Sequence, residues 1–338
     1  MLWMTGAQGF QVKSTMLQLA VLILLATAIL QAQDSDSTPH TTQFVTVEQD
    51  VKLEVVDWGG SGRPLVFLAG LGNDAHVFDK FAPKFTANHH VYGITRRGFG
   101  ASSKPAPANG NYAADRLGDD VLAVIDSLHL TRPILVGHSV AGEELSSIGS
   151  RHPDKVAGLI YLDAANGYAY YDRVNGDIIL DTLEVKHRID ELEGGTPATL
   201  QFEKEMLSSV SQLQRDLQES VTRNAYLPDP PSPAHPSPPP PVIAAIVFGT
   251  RKYSEIRPPI LAIFACPHKL ESAFRDNPTA KSQVESNDLA TCSAKASALR
   301  AGIPSAQVVL VPNADHYVFN SNEEDVLREM NVFLEKLP

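Results

Sequence analysis

The 338-residue sequence predicts an α/β fold, in which helices flank a mostly parallel central sheet. Short apolar runs typical of buried strands alternate along the chain with longer amphipathic segments typical of helices. Within residues 133–142 an apolar run leads directly into a turn of small residues around Ser139, and a helical segment follows. These two observations predict a parallel sheet and a functional turn at the end of one of its strands.

Composition and charge exclude several classes of function. Hydrophobic residues make up 43% of the chain and charged residues 20%, which is typical of a globular protein with a sizeable core. The net charge of -11 argues against nucleic acid or an anionic membrane surface as a partner. The sequence contains neither a glycine-rich phosphate loop nor an internal repeat.

Residues 1–32 are predicted to be a signal peptide. Lys13 is the only charged residue before position 34, and the run from Met16 to Leu30 is nearly unbroken in its apolar character. That run is shorter than the roughly 20 residues that span a bilayer. We expect an exported protein, periplasmic or secreted, with a disordered leader over 33–42 and no membrane attachment after cleavage. A retained N-terminal membrane anchor is the alternative.

The α/β core is predicted over residues 43–164 and 258–338. Residues 44–47 and 52–56 alternate apolar and polar positions, which predicts an antiparallel hairpin with one wet face. Further strands are predicted at 65–68, 90–94, 133–136, 157–162, 260–264 and 307–311. Helices are predicted from the loop at 69–75 through Phe81, and at about 113–128, 143–152 and 323–337.

Residues 165–257 interrupt this alternation and are predicted to form a helical cap. Helices are expected at about 199–225 and, shorter, around 180–192. A proline-rich connector spans 228–241, where proline is the commonest residue and no core can form. Recruitment of a proline-binding partner by this connector is the alternative interpretation.

The turn around Ser139 has the pattern of a nucleophile elbow. Gly137 and Ala141 flank the serine, where bulky side chains would collide with neighbouring backbone, and Gly142 leaves further room. A serine held in this way sits at a strained turn between a strand and the amides of the following helix. A chance small-residue turn is the alternative, which the strand before it and the helix after it disfavour.

The sequence resembles the α/β-hydrolase superfamily from about Phe44 to Leu337. The resemblance depends on Val-Gly-His-Ser-Val-Ala-Gly at 136–142, Arg-Gly-Phe-Gly-Ala-Ser at 97–102 and Asn-Ala-Asp-His at 313–316. It is greatest for the single-domain esterase and perhydrolase-type members. The resemblance implies Ser139 as nucleophile and His316, on the loop after the last strand, as general base.

Three positions depart from the family pattern. Ala69 stands where members often carry histidine before Gly70, and Thr95 stands where an aspartate usually opens the Arg-Gly-x-Gly loop. The family's Gly-x-x-Asp loop after the penultimate strand is Ala-Cys-Pro-His-Lys-Leu-Glu at 265–271, with no aspartate near the strand end.

Asp163 is the predicted acid of the triad. It ends the strand after the elbow helix, a position that holds the acid in some lipases of the superfamily, and the order Ser139, Asp163, His316 agrees with the family. A simple strand cap is the alternative role. Glu271 and Asp276, after the penultimate strand, are the rival acids.

The oxyanion hole is predicted at the main-chain amides of Val140 and Leu71. Val140 directly follows the nucleophile, and Leu71 follows Gly70 in the loop after the third strand. Backbone donors depend little on side-chain identity, so Ala69 need not disable the hole. The absence of a histidine at position 69 leaves open how this loop is held in place.

Several other polar residues have structural interpretations. His138 is expected to pack away from the serine hydroxyl, and His268 is expected to lie on a surface loop, with substrate contact as the alternative. Arg96 and Arg97 are interpreted as ion-paired, although they suit an acidic substrate. Asp119 and Asp120 are predicted to lie on a solvated helix face.

Cys266 and Cys292 are the only cysteines. In an exported protein they form either a disulfide near the active-site edge of the sheet or two buried thiols, and their spacing does not suggest a zinc site.

The predicted function is hydrolysis of a carboxylic ester of a small acyl substrate, through an acyl-enzyme and without a metal or organic cofactor. A serine at the elbow argues against dehalogenase or epoxide hydrolase chemistry, for which the superfamily uses aspartate. Carbon–carbon bond hydrolysis and cofactor-free perhydrolysis remain open on the same triad. A non-catalytic hydrolase-fold binding protein is the alternative from another class. Oligomeric state is not predicted.

Overall fold

A computed structural model describes residues 39–224, 238–269 and 278–338 of the chain. The predicted signal peptide, most of the leader, most of the proline-rich connector, Glu271 and Asp276 lie outside these residues. The chain divides into two compact units, with boundaries between Asp172 and Arg173 and between Ala244 and Ala245.

The larger unit contains an eight-stranded sheet with the order β1-β2-β4-β3-β5-β6-β7-β8. The strands are β1 (Thr41–Glu48), β2 (Val51–Gly60), β3 (Arg63–Leu68), β4 (His89–Ile94), β5 (Ile134–His138), β6 (Gly158–Leu162), β7 (Ile260–Ala265) and β8 (Gln307–Val311). β2 pairs antiparallel with β1 and with β4, whereas all other neighbours are parallel. Both the predicted hairpin and the mostly parallel sheet are confirmed.

Helices follow most of the strands. They are α1 (Ala114–Ser127), α2 (Gly142–Arg151), α3 (Ile178–Glu193), α4 (Leu200–Asn224), α5 (Pro241–Phe248), α6 (Pro278–Gly302), α7 (Val318–Ser321) and α8 (Glu323–Leu334). α3 and α4 belong to the smaller unit, and the unit boundary falls within α5. Among the described helices, none has the length and apolar character needed to cross a membrane.

Two apolar layers cover the faces of the sheet. Because successive strand residues point to opposite faces, Val66 and Leu135 join one cluster while Leu65, Phe67 and Val136 join the other. These central strands are buried on both sides, which explains their unbroken apolar sequence. The carboxyl ends of the parallel strands meet at one edge of the sheet, and the predicted site residues follow them.

The predicted helix from the loop at 69–75 through Phe81 is wrong. Two short 3₁₀ turns, Ala75–Phe78 and Ala82–Phe85, occupy this region. Pro83 lies at the start of the second turn, and proline lacks the N–H that a continuous helix would need there. Phe78 and Phe81 are nevertheless buried against the ring of Phe67, at centroid distances of 5.1 and 6.2 Å.

The predicted solvated face of α1 is correct for Asp119 and wrong for Asp120. Asp119 accepts a hydrogen bond from Arg151 at the surface. Asp120 is buried, because its two oxygens accept from Nε and Nη2 of the buried Arg97 at 2.6 and 2.7 Å. A fork of this kind lets two charges leave water together. The interpretation of Arg97 as ion-paired is confirmed.

The smaller unit contains α3 and α4, which lie where the sequence predicts helices. Arg188 of α3 pairs with Glu205 of α4 at 2.8 Å and lies 5.9 Å from the ring centroid of Phe202. Leu180 and Leu183 are buried on α3, as expected for the apolar side of a helix that packs.

Candidate active site

Ser139 occupies a strained turn between β5 and α2. Its φ angle of 54° lies in the left-handed region, which a non-glycine residue rarely adopts. A Cβ at Gly137 would lie 2.8 Å from Leu145 Cδ1, and one at Gly142 would lie 2.1 Å from the Ala164 carbonyl oxygen. The small residues around Ser139 are therefore required by close contacts, as the elbow pattern predicts.

Asp163 directly follows β6 and is buried, also with a left-handed φ, of 47°. Its Oδ1 accepts a hydrogen bond from the main-chain N–H of Ala265 at 3.2 Å. Its Oδ2 accepts from Nδ1 of His316 at 2.7 Å. A carboxylate that only capped a strand end would not need an imidazole on its other oxygen, so the geometry favours the predicted role of acid.

His316 lies on the loop between β8 and α7 and is partly exposed. Its carbonyl oxygen accepts from Nε2 of His138 at 2.9 Å, and the two rings lie 4.6 Å apart. His138 directly precedes Ser139, so the loop of His316 lies against the elbow. Nδ1 of His316 donates to Asp163, and a neutral ring then carries its lone pair on Nε2. This tautomer is the one a general base requires.

Hydrogen bonding and burial act in opposite directions on Asp163. Burial disfavours its charged form, but the hydrogen bonds from His268 and His316 outweigh burial and lower the pKa of Asp163. The carboxylate is therefore ionised wherever the imidazoles can donate to it.

His138 packs as the sequence predicts. Its ring is buried between His316 and Tyr317, at centroid distances of 4.6 and 4.8 Å. Burial lowers the pKa of His138 to about 3, and the neighbouring charge of His316 adds to this effect. His138 therefore stays neutral and acts as a spacer between the elbow and the His316 loop.

His268 lies on the loop after β7 and is partly exposed, as predicted, but two carboxylates hold its ring, which the prediction did not include. Its Nε2 lies 2.9 Å from Asp163 Oδ2, the same oxygen that binds His316. Its Nδ1 lies 3.0 Å from Oδ1 of Asp288, a residue of α6. One signal in the sequence pointed here: His268 stands where the family's Gly-x-x-Asp loop carries its acid.

The loop predicted to supply an oxyanion amide lies against the nucleophile. A Cβ at Gly70 would lie 3.1 Å from Ser139 Cβ and 2.8 Å from His138 Nδ1, so only glycine fits there. Arg96 holds the loop by donating from Nη2 to the Ala69 carbonyl oxygen at 2.9 Å. Leu71 therefore directly follows a residue in close contact with Ser139.

Tyr168, which the sequence does not single out, reaches the nucleophile. Its hydroxyl accepts a hydrogen bond from Nδ2 of Asn166 at 3.2 Å, and its side chain also forms a hydrogen bond with that of Ser139. Burial raises the pKa of Tyr168, so this hydroxyl keeps its proton and can donate. No motif marks this residue, because it follows β6 in an irregular loop.

Two groups of side chains among the described residues bring three possible metal ligands within 4.8 Å of one another. They are His40, His76 and Asp79, and Asp163, His268 and His316. In the second group both histidines face one carboxylate oxygen at hydrogen-bonding distances. Shared acceptance by one oxygen is the geometry of a hydrogen-bond network, and we assign the group to that role.

Cys266 and Cys292 form a disulfide, with their Cα atoms 5.7 Å apart. It joins the loop after β7, which carries His268, to α6, which carries Asp288. Of the two alternatives that the sequence leaves open, the disulfide is confirmed.

A family model described as "alpha/beta hydrolase fold" matches residues 63–322 of the chain. Fluoroacetate dehalogenase from Burkholderia sp is 33% identical over 119 residues, which cover 35% of this chain and 39% of that protein. Matches to two further relatives cover 41% and 43% of their lengths, so the chain spans about two fifths of these curated relatives.

Longer matches also occur. The 2-(acetamidomethylene)succinate hydrolase of Mesorhizobium japonicum is 25% identical over 295 residues, covering 82% of this chain and 89% of that protein. The crystal structure of a bromoperoxidase from Bacillus anthracis superposes with a TM-score of 0.55 and 18% identity, covering 88% of this chain and 100% of that one. The likeness to the solved structure concerns the fold.

Proposed function

The chain belongs to the α/β-hydrolase family, and from this premise we propose that it is a serine hydrolase that cleaves carboxylic esters through an acyl-enzyme. The observation that carries the proposal is the 2.7 Å hydrogen bond from His316 Nδ1 to Asp163. The loop that carries His316 lies against the elbow of Ser139. An acid that fixes one tautomer of a histidine beside a strained serine is the arrangement that activates a hydroxyl nucleophile.

The proposed reaction has two steps. In the first, Ser139 Oγ attacks the ester carbonyl while His316 Nε2 takes the hydroxyl proton, and the developing oxyanion accepts hydrogen bonds from the Val140 and Leu71 amides. The tetrahedral intermediate collapses, and the departing alkoxide takes the proton from His316. In the second step a water molecule, deprotonated by His316, attacks the acyl-serine and releases the carboxylic acid and Ser139.

The substrate class follows from the nucleophile. The curated relatives act on different bonds, so their names do not fix the reaction of this chain. An activated serine forms esters with acyl groups, which favours small acyl substrates over the displacement of a halide. No step of this scheme requires a metal or an organic cofactor.

Covalent labelling tests the proposal. We expect a fluorophosphonate probe to label the folded wild-type protein, and Ser139→Ala and His316→Gln to abolish both labelling and turnover of p-nitrophenyl acetate. The matched control is His129→Asn, because His129 is exposed and its φ of 53° suits asparagine. Folded wild type that resists the probe would identify a binding protein instead.

A second assay separates ester cleavage from carbon–carbon bond cleavage on the same residues. The same preparation is compared on a short-chain ester and on a vinylogous diketone. Faster turnover of the diketone, at equal labelling of Ser139, would replace the ester proposal with the carbon–carbon one.

We further propose that the protein is exported and works in an oxidising compartment. The apolar run from Met16 to Leu30 has the character of a signal peptide, and the Cys266–Cys292 disulfide is of a kind rare in reducing compartments. Fractionation of cells that express the full chain tests this, with N-terminal sequencing of the mature protein. Recovery of uncleaved, reduced protein from the cytosol would contradict it.

A further inference from the structure

One oxygen of Asp163 is shared by two histidines. Oδ2 lies 2.7 Å from Nδ1 of His316 and 2.9 Å from Nε2 of His268. In the family's scheme an acid serves one histidine alone, the general base. A second donor on the same oxygen therefore needs its own explanation.

The hydrogen-bond geometry around His268 requires its ring to be a cation. Its Nε2 faces Asp163, and its Nδ1 lies 3.0 and 3.1 Å from the two oxygens of Asp288. A carboxylate oxygen accepts a hydrogen bond and cannot donate one, so both ring nitrogens must carry protons. Although burial opposes the charge, the hydrogen bonds to Asp163 and Asp288 raise the pKa of His268 to about 10.

The loop of His268 is held on several sides. Its main-chain N–H donates to Asp288 Oδ2 at 2.6 Å, and the next residue, Lys269, donates its N–H to the Ala314 carbonyl oxygen at 2.8 Å. The disulfide from Cys266 reaches Cys292, one helical turn after Asp288 on α6. The contact with Asp163 is therefore built into the fold rather than made by a mobile surface side chain.

We propose that His268, held as a cation by Asp288, is a positioning residue that partly neutralises Asp163 and so extends catalysis by His316 to lower pH. The proposal rests on the proposed function, because it concerns the base of that reaction. A carboxylate beside a general base attracts positive charge to that base, which confines base catalysis to higher pH. A cation on the same carboxylate oxygen weakens this attraction, so we expect the acid limb of the pH–rate profile to lie at lower pH than it would without His268.

The surrounding groups agree with this assignment. Among the described residues, Asp288, His316, His138 and Tyr168 are titratable side chains that interact with the His268–Asp163 pair. His138 and Tyr168 are neutral, since burial lowers the pKa of the first to about 3 and raises that of the second. Asp288 is ionised, because the hydrogen bonds from His268 outweigh burial and lower its pKa.

The pH dependence of kcat/KM for a short-chain ester tests the proposal. His268→Gln removes the cation, while the glutamine amide can still donate to Asp163. We expect the acid-side midpoint of kcat/KM to move up by about one pH unit, with the high-pH plateau kept within about threefold. Asp288→Asn leaves His268 paired with Asp163 and should move the midpoint less, and His129→Asn should leave it unchanged.

A uniform fall in kcat/KM at all pH values, with no movement of the midpoint, would assign His268 a merely structural role and overturn the proposal. Fluorophosphonate labelling of the wild type tests the hydrolase function separately, because it does not depend on where the midpoint lies.

A measurement on the wild type needs no variant to fold. Nitrogen-15 NMR of labelled histidines should show both ring nitrogens of His268 protonated from pH 5 to pH 9, with the resonance assigned from its loss in His268→Gln. Titration of this ring near its ordinary pKa of about 6.5 would overturn the proposal.

Discussion

Arg96 Nη2 donates a hydrogen bond to the main-chain carbonyl oxygen of Ala69 at 2.9 Å. The same guanidinium donates to both oxygens of Glu144, at 2.5 and 2.8 Å, in the first turn of α2. One buried side chain thus joins the loop of the proposed oxyanion amide to the helix behind Ser139. The histidine that members of the family often carry at this loop is absent, and Arg96 supplies an attachment from the end of β4.

Replacing this attachment should impair catalysis more than binding. Arg96→Lys retains the charge but loses the planar fork, so lysine cannot reach Glu144 and Ala69 together. We expect kcat for a short-chain ester to fall by roughly 10- to 100-fold with a smaller change in KM, because the proposed oxyanion amide of Leu71 loses its fixed position.

The matched control is Arg328→Lys, at an exposed ion pair of α8, which should leave both kinetic constants unchanged. Equal kcat values for the wild type and Arg96→Lys would show that the loop is positioned without the guanidinium.

The proposed role of Asp163 as the triad acid can be tested against its rivals, Glu271 and Asp276. Asp163→Asn cannot hold His316 in the required tautomer, so we expect kcat to fall by about 10³- to 10⁴-fold. Glu271→Gln and Asp276→Asn should each retain activity within a few-fold of the wild type. The measurement is kcat for a short-chain ester, with the fluorophosphonate labelling rate as a second readout. A larger loss in either rival variant than in Asp163→Asn would move the acid to the loop after β7.

Features encoded over short stretches of chain were predictable from the sequence. The alternation of apolar runs and helical segments predicted the parallel sheet. The small residues around Ser139 predicted a strained turn, and the φ of 54° at Ser139 agrees with it. The alternation of apolar and polar residues in the first two strands predicted their antiparallel pairing. Each of these depends on residues close together in sequence, where steric and periodic rules act directly.

Features that join distant segments were not predictable in the same way. Asp120 was predicted to be solvated because the helix is polar around this position. It is buried instead, because it pairs with Arg97 from a distant loop. His268 looked like a surface residue because its two carboxylates come from the end of β6 and from α6. A single sequence shows neither pairing, since no local pattern connects residues separated by the folding of a sheet.

The disulfide should contribute measurably to stability. Cys266 and Cys292 are 26 residues apart, and cross-linking a loop of that length stabilises a fold by about 3.5 kcal/mol in the chain-entropy description. We expect the double variant Cys266→Ser, Cys292→Ser to lose about that free energy of unfolding in urea titrations. Reducing agent should lower the stability of the wild type and leave that of the double variant unchanged. Equal stability of the oxidised wild type and the double variant would contradict the expectation.

Glu143 is a buried acid that the proposed chemistry does not use. Its Oε1 accepts from the Thr250 hydroxyl at 2.7 Å, and no described residue bonds to its buried Oε2. Burial raises the pKa of Glu143 to about 8, and the nearby charge of Glu144 adds to this while Arg96 and Arg251 oppose it. The folded protein therefore holds the Glu143 proton more tightly than the unfolded chain does, and this difference stabilises the fold. The stabilisation is complete below pH 4.5 and is lost as the pH rises through 8.

Glutamine has nearly the shape of a protonated glutamate and cannot ionise. The Glu143→Gln variant should therefore not lose stability as the pH rises. We expect the free energy of unfolding of the variant, minus that of the wild type, to rise by about 4 kcal/mol between pH 5 and pH 9. Urea titrations at both pH values measure it, and all other groups cancel because they titrate alike in the two proteins. Glu335→Gln, at an exposed position after α8, should show no such trend. A difference that is the same at pH 5 and pH 9 would mean that Glu143 is already ionised in the folded protein, with Arg96 and Arg251 compensating its burial.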